Sequence, residues 1–366
     1  MNETQIKTQK FIIKYFTEIM IKGTTAKRQM ISQVYNNLVN ILSKISKDIK
    51  VRKFFDKVEV VCPIEVVAEV RMRLLDTPGI QQILEAVQFD NMNTLDDIKV
   101  VVNETMAHEI QGKTFVVRCK RMGTQEFKST QVEQTVGGYM LAMNDTKGVA
   151  LKGAEYTINL ELEFAQLNVI THKHMGMGGF PIGSQGSILS LMSGGFDSTV
   201  ASYLTMKRGI KTHFIFFNLG GIAHEIGVKQ VAYYLWNKFG SSHRVSFISI
   251  PFDDVVTEIF KSVSEPYMGV MLKRLMLKAS EKVADSMGID ALVTGESVAQ
   301  VSSQTLRNLA LIDQVTNKLV LRPLAMMSKP DIIDIAYKIG TSRFAEAMPE
   351  YCGVIKKNPV THGSYE

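Results

Sequence analysis

Residues 193–198, Ser-Gly-Gly-Phe-Asp-Ser, are the stretch of this chain whose side chains most directly suggest chemistry. They follow an apolar run at 188–192 and precede a helical pattern beginning near Thr199, so a strand, a turn and a helix are expected in register. Gly194 and Gly195 allow a tight turn and close main-chain approach, Ser193 and Ser198 supply hydroxyls, and the helix N-terminus offers free N–H groups to an anion. Asp197 would repel a phosphate unless a cation stood between them, which implies a Mg²⁺ bridge to a polyphosphate. The competing interpretation is a plain glycine turn with a serine cap. The Gly-Lys-Ser/Thr ending of a Walker loop is missing.

Other candidates are weaker by residue type alone. Cys352 lies between Tyr351 and Gly353, near Lys356 and Lys357, and neighbouring cations favour the reactive thiolate. A lone cysteine is otherwise a small hydrophobe. Lys273 and Lys329 would by default be surface residues, and Phe216 and Phe217 core. His172 and His174 have no third ligand nearby, which argues against a metal site. Cys62 and Cys119 fall on expected strands and are taken as structural. Three cysteines without an export signal point to a reducing, cytoplasmic setting, and no apolar run is long enough to span a bilayer.

Two kinds of architecture must position these residues. Up to residue 174 strands and helices are mixed: a strand near 10–16, a helix with Met30, Val34, Leu38 and Leu42 at spacing four, and a strand at 57–62. A helix at 64–75 then ends at Thr77-Pro78-Gly79. A second unit follows, with strands at 83–89, 114–118 and 156–162, and helices at 94–109 (capped by Thr94) and 129–141. This is an α+β pattern. Residues 175–186, rich in glycine, form a linker. Beyond it, short apolar strands at 188–192, 213–217, 245–250 and 291–293 each lead into a helical stretch, the pattern of a parallel α/β sheet.

Charge is distributed unevenly. The chain carries +6 overall, but residues 1–60 hold twelve Lys/Arg against five Asp/Glu, which leaves the remainder at −1. Lys22, Lys27 and Arg28 belong to this basic segment; Lys113, Arg118, Lys120, Arg121 and Lys128 share theirs with the single acid Glu126. Such clusters suit the phosphates of a nucleic acid, although each cation alone is ordinary surface.

The loop at 193–198 resembles the PP-loop of the ATP pyrophosphatases, which attach AMP to an oxygen and release pyrophosphate. Further segments are similar to those of the tRNA 4-thiouridine synthetase family: Asn218-Leu219-Gly220-Gly221, Met271-Leu272-Lys273-Arg274, residues 292–297 and 300–306, Leu321-Arg322-Pro323-Leu324, and residues 349–355. The resemblance covers essentially the whole chain. It implies a ferredoxin-like domain at 1–76, an RNA-binding THUMP domain at 77–174, the linker, and a PP-loop domain at 187–366.

It also implies roles. Leu191, Met192, Ser193, Gly194, Gly195, Asp197, Ser198, Phe216, Phe217, Lys273, Gly295 and Gln304 would bind ATP, with Phe216 and Phe217 flanking the adenine and Mg²⁺ accompanying the phosphates. Asp197 and Lys329 would serve activation, and Cys352 would handle sulfur. The implied reaction adenylates O4 of a tRNA uridine, uridine 8 by resemblance, and replaces the oxygen with persulfide sulfur. Two departures stand out. Ser328 replaces the acid usual before Lys329. The sequence also shows no rhodanese domain, so the expected sulfur source is a cysteine desulfurase or a separate rhodanese-like protein; the family's link to thiazole synthesis runs through that domain and is not carried over. A homodimer is expected from the family. The rival functions are another PP-loop ligase acting on a metabolite and a non-catalytic THUMP RNA-binding protein.

Overall fold

The computed structural model of the chain describes residues 8–123, 125–348 and 359–364. They form two compact units, each built on its own sheet. The first gathers residues 8–20, 42–75 and 80–176. Its strands are β1 (Thr8–Tyr15), β2 (Lys50–Lys53), β3 (Lys57–Pro63), β4 (Ile80–Phe89), β5 (Thr114–Met122), β6 (Gly148–Val149), β7 (Tyr156–Glu163) and β8 (Gln166–Gly178). They hydrogen-bond in the order β2-β3-β1-β4-β8-β7-β5-β6, a mixed sheet. The strands expected near 10–16 and 57–62 and those expected beyond residue 80 therefore share one continuous sheet.

The period of two explains the faces of this sheet. Ile158, Leu160 and Leu162 on β7 enter a core with Ile98, Val102 and Met106 of the helix Leu95–Met106 and with Val132, Val136 and Met140 of the helix Ser129–Met143. The intervening Glu161 and Glu163 turn to the other face, where they pair with Lys14 (3.1 Å for Glu161) and Lys57. Thr94 caps its helix as expected, its hydroxyl accepting from the Asp97 N–H at 3.1 Å.

β8 is the longest of the strands the sequence reading omits, the others being β2, β6 and Leu319–Leu321. It runs through Gly178, into the stretch whose glycines suggested a linker. Those glycines answer a packing demand: a Cβ on Gly176 would lie 2.4 Å from the Ile80 carbonyl oxygen.

The second unit gathers residues 21–41, 76–79 and 177–364. The helix Thr24–Leu42 thus joins it for nearly its whole length, although the sequence division assigns this segment to 1–76. Buried Asn37 explains the attachment, its amide donating to the Ile182 carbonyl at 3.0 Å. The strands β9 (Ser187–Leu191), β10 (Lys211–Asn218), β11 (Phe247–Pro251), β12 (Ala291–Val293) and β13 (Leu319–Leu321) are all parallel, in the order β11-β10-β9-β12-β13. Side chains alternate between two cores, with Ile188, Phe214, Phe216 and Val293 on one face and Leu189, Ile215, Phe217 and Leu292 on the other. Chain progress reverses between β9 and β12, and ligands of open α/β sheets bind at the carboxyl ends of strands beside such a switch. That is where β9 delivers residues 193–198.

Gly179 secures the entry to this unit. Its φ is +74°, and a Cβ there would sit 2.0 Å from the Lys207 carbonyl oxygen. Gly179→Ala should therefore cost roughly 2–4 kcal/mol, from left-handed strain plus overpacking. The urea midpoint of unfolding measures this; an unmoved midpoint would refute the close approach.

Candidate active site

Ser193, Gly194 and Gly195 turn the chain from β9 into the helix Phe196–Lys207, with Gly194 at φ +86°. The turn holds itself closed. The Ser193 N–H donates to the Ser198 Oγ at 3.1 Å, the two serine hydroxyls lie 3.1 Å apart, and the Thr199 hydroxyl donates to the Gly195 carbonyl at 2.7 Å. Ser190 and Ser202 hydroxyls meet at 2.7 Å, letting the helix pack closely on its strand. The Met348 thioether lies against Gly194 and Gly227. His224 hydrogen-bonds the Ser193 main chain; burial lowers its pKa, against the opposing effect of that bond, and favours the neutral ring.

Asp197 sits in the first turn of its helix, where a carboxylate is favoured by the helix dipole. Its Oδ1 accepts from Lys329 Nζ at 2.7 Å and its Oδ2 from Gln300 Nε2 at 2.9 Å. Lys329 opens the helix Lys329–Ile339, an unfavourable end for a cation, so the Asp197 carboxylate offsets a local penalty. Ser328, where the resemblance implied an acid, is the N-cap of that helix; its hydroxyl accepts from the Asp331 N–H at 3.4 Å and donates to the Asp331 carboxylate at 2.6 Å. Lys329 therefore finds its counter-charge on the loop itself.

Beside the loop lies a buried ionic network. Glu296 is 7% exposed and accepts from Lys273 at 2.8 Å, Arg322 Nε at 2.8 Å and the Thr294 hydroxyl at 3.0 Å. Arg322 continues to Asp313 through bonds of 2.8 and 2.5 Å. Burial alone would raise the Glu296 pKa, but Lys273 and Arg322 overcome it and hold the carboxyl below its ordinary range.

The expected site residues divide under this geometry. Leu191, Met192, residues 193–195, Asp197, Ser198 and Lys329 gather at the carboxyl end of β9. Gly295 approaches the loop, since a Cβ would lie 2.5 Å from the Asp197 carbonyl carbon and 2.6 Å from the Ser198 nitrogen. Gln304 is buried, its Oε1 accepting from the Ser297 N–H at 3.4 Å, which braces the 297–304 loop. Phe216 and Phe217 do not fit the expectation that both rings flank one base. Adjacent strand residues face opposite ways, and the two rings are buried in different cores, Phe216 edge-on to His224 and Phe217 edge-on to Phe252.

Cys352 lies outside the described residues. Burial pushes the Cys62 and Cys119 thiols up to about 11, so neither is a ready nucleophile at neutral pH. No cluster of three or more His, Cys, Asp or Glu suited to a metal occurs among the described residues. The eight cations expected to hold RNA fall in both units. Lys22, Lys27 and Arg28 belong to the second, with Lys22 5.0 Å from the Phe180 ring centroid. Lys113, Arg118, Lys120, Arg121 and Lys128 belong to the first, where Lys120 and Lys128 are exposed and Arg118 and Arg121 bond to main-chain carbonyls. Gln300, Glu296, Arg322 and His224 carry no role in the sequence reading. Gln300, Glu296 and Arg322 do lie inside segments it singled out.

A parallel sheet with a Ser-Gly-Gly-Phe-Asp-Ser turn at its switch point defines a PP-loop-type α/β domain, here on a chain that also carries a THUMP domain. Family models agree: "Thiamine biosynthesis protein (ThiI)" matches residues 183–366 and "THUMP domain" matches residues 92–169. The tRNA sulfurtransferase of Shewanella amazonensis is 48% identical over 356 residues, covering 96% of this chain and 73% of the relative, and that of Pseudomonas putida gives the same values. The chain belongs to the tRNA sulfurtransferase family, and is an enzyme. Among solved structures, a 4-thiouridine synthetase in complex with RNA and ATP superposes with a TM-score of 0.85 at 24% identity, covering 97% of this chain and 91% of that one. A protein of Pyrococcus horikoshii does so with 0.69 at 19% identity, covering 91% and 99%. Both likenesses concern the fold. No described helix is long and apolar enough to cross a membrane.

Proposed function

We propose that the chain binds ATP at the 193–198 turn, adenylates O4 of a tRNA uridine, uridine 8 by family, and exchanges that oxygen for sulfur. The observation that carries this reading is Asp197, fixed at a helix N-terminus between Lys329 and Gln300. Free N–H groups of the turn and the Ser193 and Ser198 hydroxyls suit phosphate oxygens. A Mg²⁺ ion fits a site with one carboxylate, because it commonly takes one or two carboxylates and completes its shell with phosphates and water; Asp197 would hold it, and it would neutralise phosphate charge. Lys329, drawn from Asp197, would supply positive charge where charge develops on the α-phosphate. The uridine O4 bonds to that phosphorus as pyrophosphate leaves. The terminal sulfur of a persulfide then bonds to C4 as AMP departs with the oxygen, and a second thiol bonds to the carrier sulfur, breaking the S–S bond to form a disulfide and leaving sulfur on C4.

The base-contacting residues are Leu191 and the main chain at Met192 and Phe216–Phe217, since the Met192, Phe216 and Phe217 side chains are committed to the cores. Lys273, Gly295 and Gln304 shape the wall of the same site. The exposed cations of both units and the THUMP domain would hold tRNA by its backbone and shape. The domain division given above, the two persulfide donor classes and a homodimer stand as parts of this proposal. Met348 at Gly194 is the last described residue before the segment carrying Cys352, and four residues reach at most about 14 Å, which supports Cys352 as sulfur acceptor or resolving thiol.

Mass spectrometry of tRNA incubated with enzyme, ATP, Mg²⁺ and a persulfide donor tests the proposal. A gain corresponding to one oxygen-to-sulfur exchange is expected with the native chain and none with Cys352→Ser, while tRNA-dependent pyrophosphate release persists in that variant. Release without tRNA, or sulfur transfer by the variant, would overturn these assignments.

A further inference from the structure

The side chain of Gln300 is only half accounted for in this structure. Its Nε2 donates to Asp197, yet its Oε1 is buried and no donor among the described residues reaches it. Exchanging the amide ends offers no relief, since it would set oxygen against a carboxylate. A buried acceptor without a partner is costly and calls for an explanation.

The backbone adds a second observation. Ala299, immediately before Gln300, has φ +66°, a left-handed conformation that a residue with a Cβ adopts only under constraint. The constraint is visible: the Ala299 N–H donates to the Gln304 carbonyl at 3.0 Å, the Gln300 N–H to the Ser297 carbonyl at 3.3 Å, and Gln304 Oε1 takes the Ser297 N–H at 3.4 Å. The loop stores strain and thereby turns Gln300 onto Asp197.

We propose that Gln300 is a positioning residue for Asp197, and that its Oε1 is satisfied only when the nucleotide site is loaded, by a proton donor of the bound triphosphate's hydration shell. This rests on the ATP-binding reading above. In the empty site Asp197 is shared by Lys329 and Gln300. A triphosphate competes for the Lys329 ammonium, and Gln300 then keeps the carboxylate aimed. Its oxygen shares an amide with the Nε2 that meets Asp197, the carboxylate assigned above to the phosphate end of the site, where ordered waters are the donors at hand.

Gln300→Met in the full chain separates this from a structural role, because methionine fills similar volume without the unpaired oxygen. Without nucleotide, the variant should melt at or above the native temperature. The upward shift produced by ATP with Mg²⁺ should shrink, and kcat for tRNA-dependent pyrophosphate release should fall about 10–100-fold, as for other residues that orient a ligand through hydrogen bonds, with the KM for tRNA unchanged. A lower melting temperature without nucleotide would assign Gln300 a purely structural part and overturn the inference. So would a nucleotide shift equal to the native one. Should the native chain itself show no shift with ATP, the nucleotide site fails rather than Gln300 alone.

Discussion

Asp197→Asn is expected to stop nucleotide turnover while leaving tRNA bound. The substitution preserves shape and one carbonyl oxygen, so the turn can still close through Ser193, Ser198 and Thr199, none of which contacts the carboxylate. The negative charge is what disappears. Lys329 then stands in the first turn of its helix with no opposing charge on Asp197, and a phosphate-bound cation loses its protein ligand. Removing a preorganised electrostatic group of this kind typically costs about 10²–10³ in kcat. Pyrophosphate release with tRNA present measures the loss, and a gel-shift or anisotropy titration measures tRNA affinity. The cations assigned to RNA do not contact Asp197, so that affinity should hold. A variant that turns over normally, or one that releases tRNA, would contradict the separation of nucleotide chemistry from RNA holding.

The legibility of this site in sequence follows from how local its determinants are. The 193–198 turn was readable because strand, glycines, acid and helix are contiguous, and each constrains the next. The strands expected at 213–217 and 291–293 correspond to Lys211–Asn218 and Ala291–Val293 for the same reason: short apolar runs between helical periods. What escaped depends on distant partners. Lys273, Glu296, Asp313 and Arg322 are spread over some fifty positions, and only the packing of helix Met268–Ser286 against β12 and helix Leu306–Asp313, with β13 paired to β12, brings them together. Gln300 meets Asp197 across a wider gap, 103 positions. β8 failed on composition, since its glycines mimic a linker while serving close approach to Ile80. Phe216 and Phe217 are adjacent on a strand and so face opposite ways, and the period of two by itself argues against one base lying between both rings.

The ionic network makes the second large prediction. Glu296→Leu should destabilise the second unit by about 3 kcal/mol, near the lower end of the cost of stripping one member from a buried pair. Lys273 bears most of that loss, because Arg322 keeps both bonds to Asp313. For a unit of this size the melting temperature should drop by roughly 6–12 °C. Its dependence on pH has a definite sign. The Glu296 pKa is lowered on folding from an ordinary 4.5, burial being outweighed by Lys273 and Arg322, so the carboxylate's contribution is complete above the unfolded value and fades as pH falls through the folded one. Native and variant melting temperatures should thus differ most near neutrality and converge below that ordinary value. A constant gap across acid pH would mean that lost volume, rather than charge, sets the cost. The same carboxylate aims Lys273, which the proposed mechanism needs at the nucleotide; in Glu296→Leu the ammonium is free to swing into water, and the KM for ATP should rise even at temperatures where the variant is fully folded.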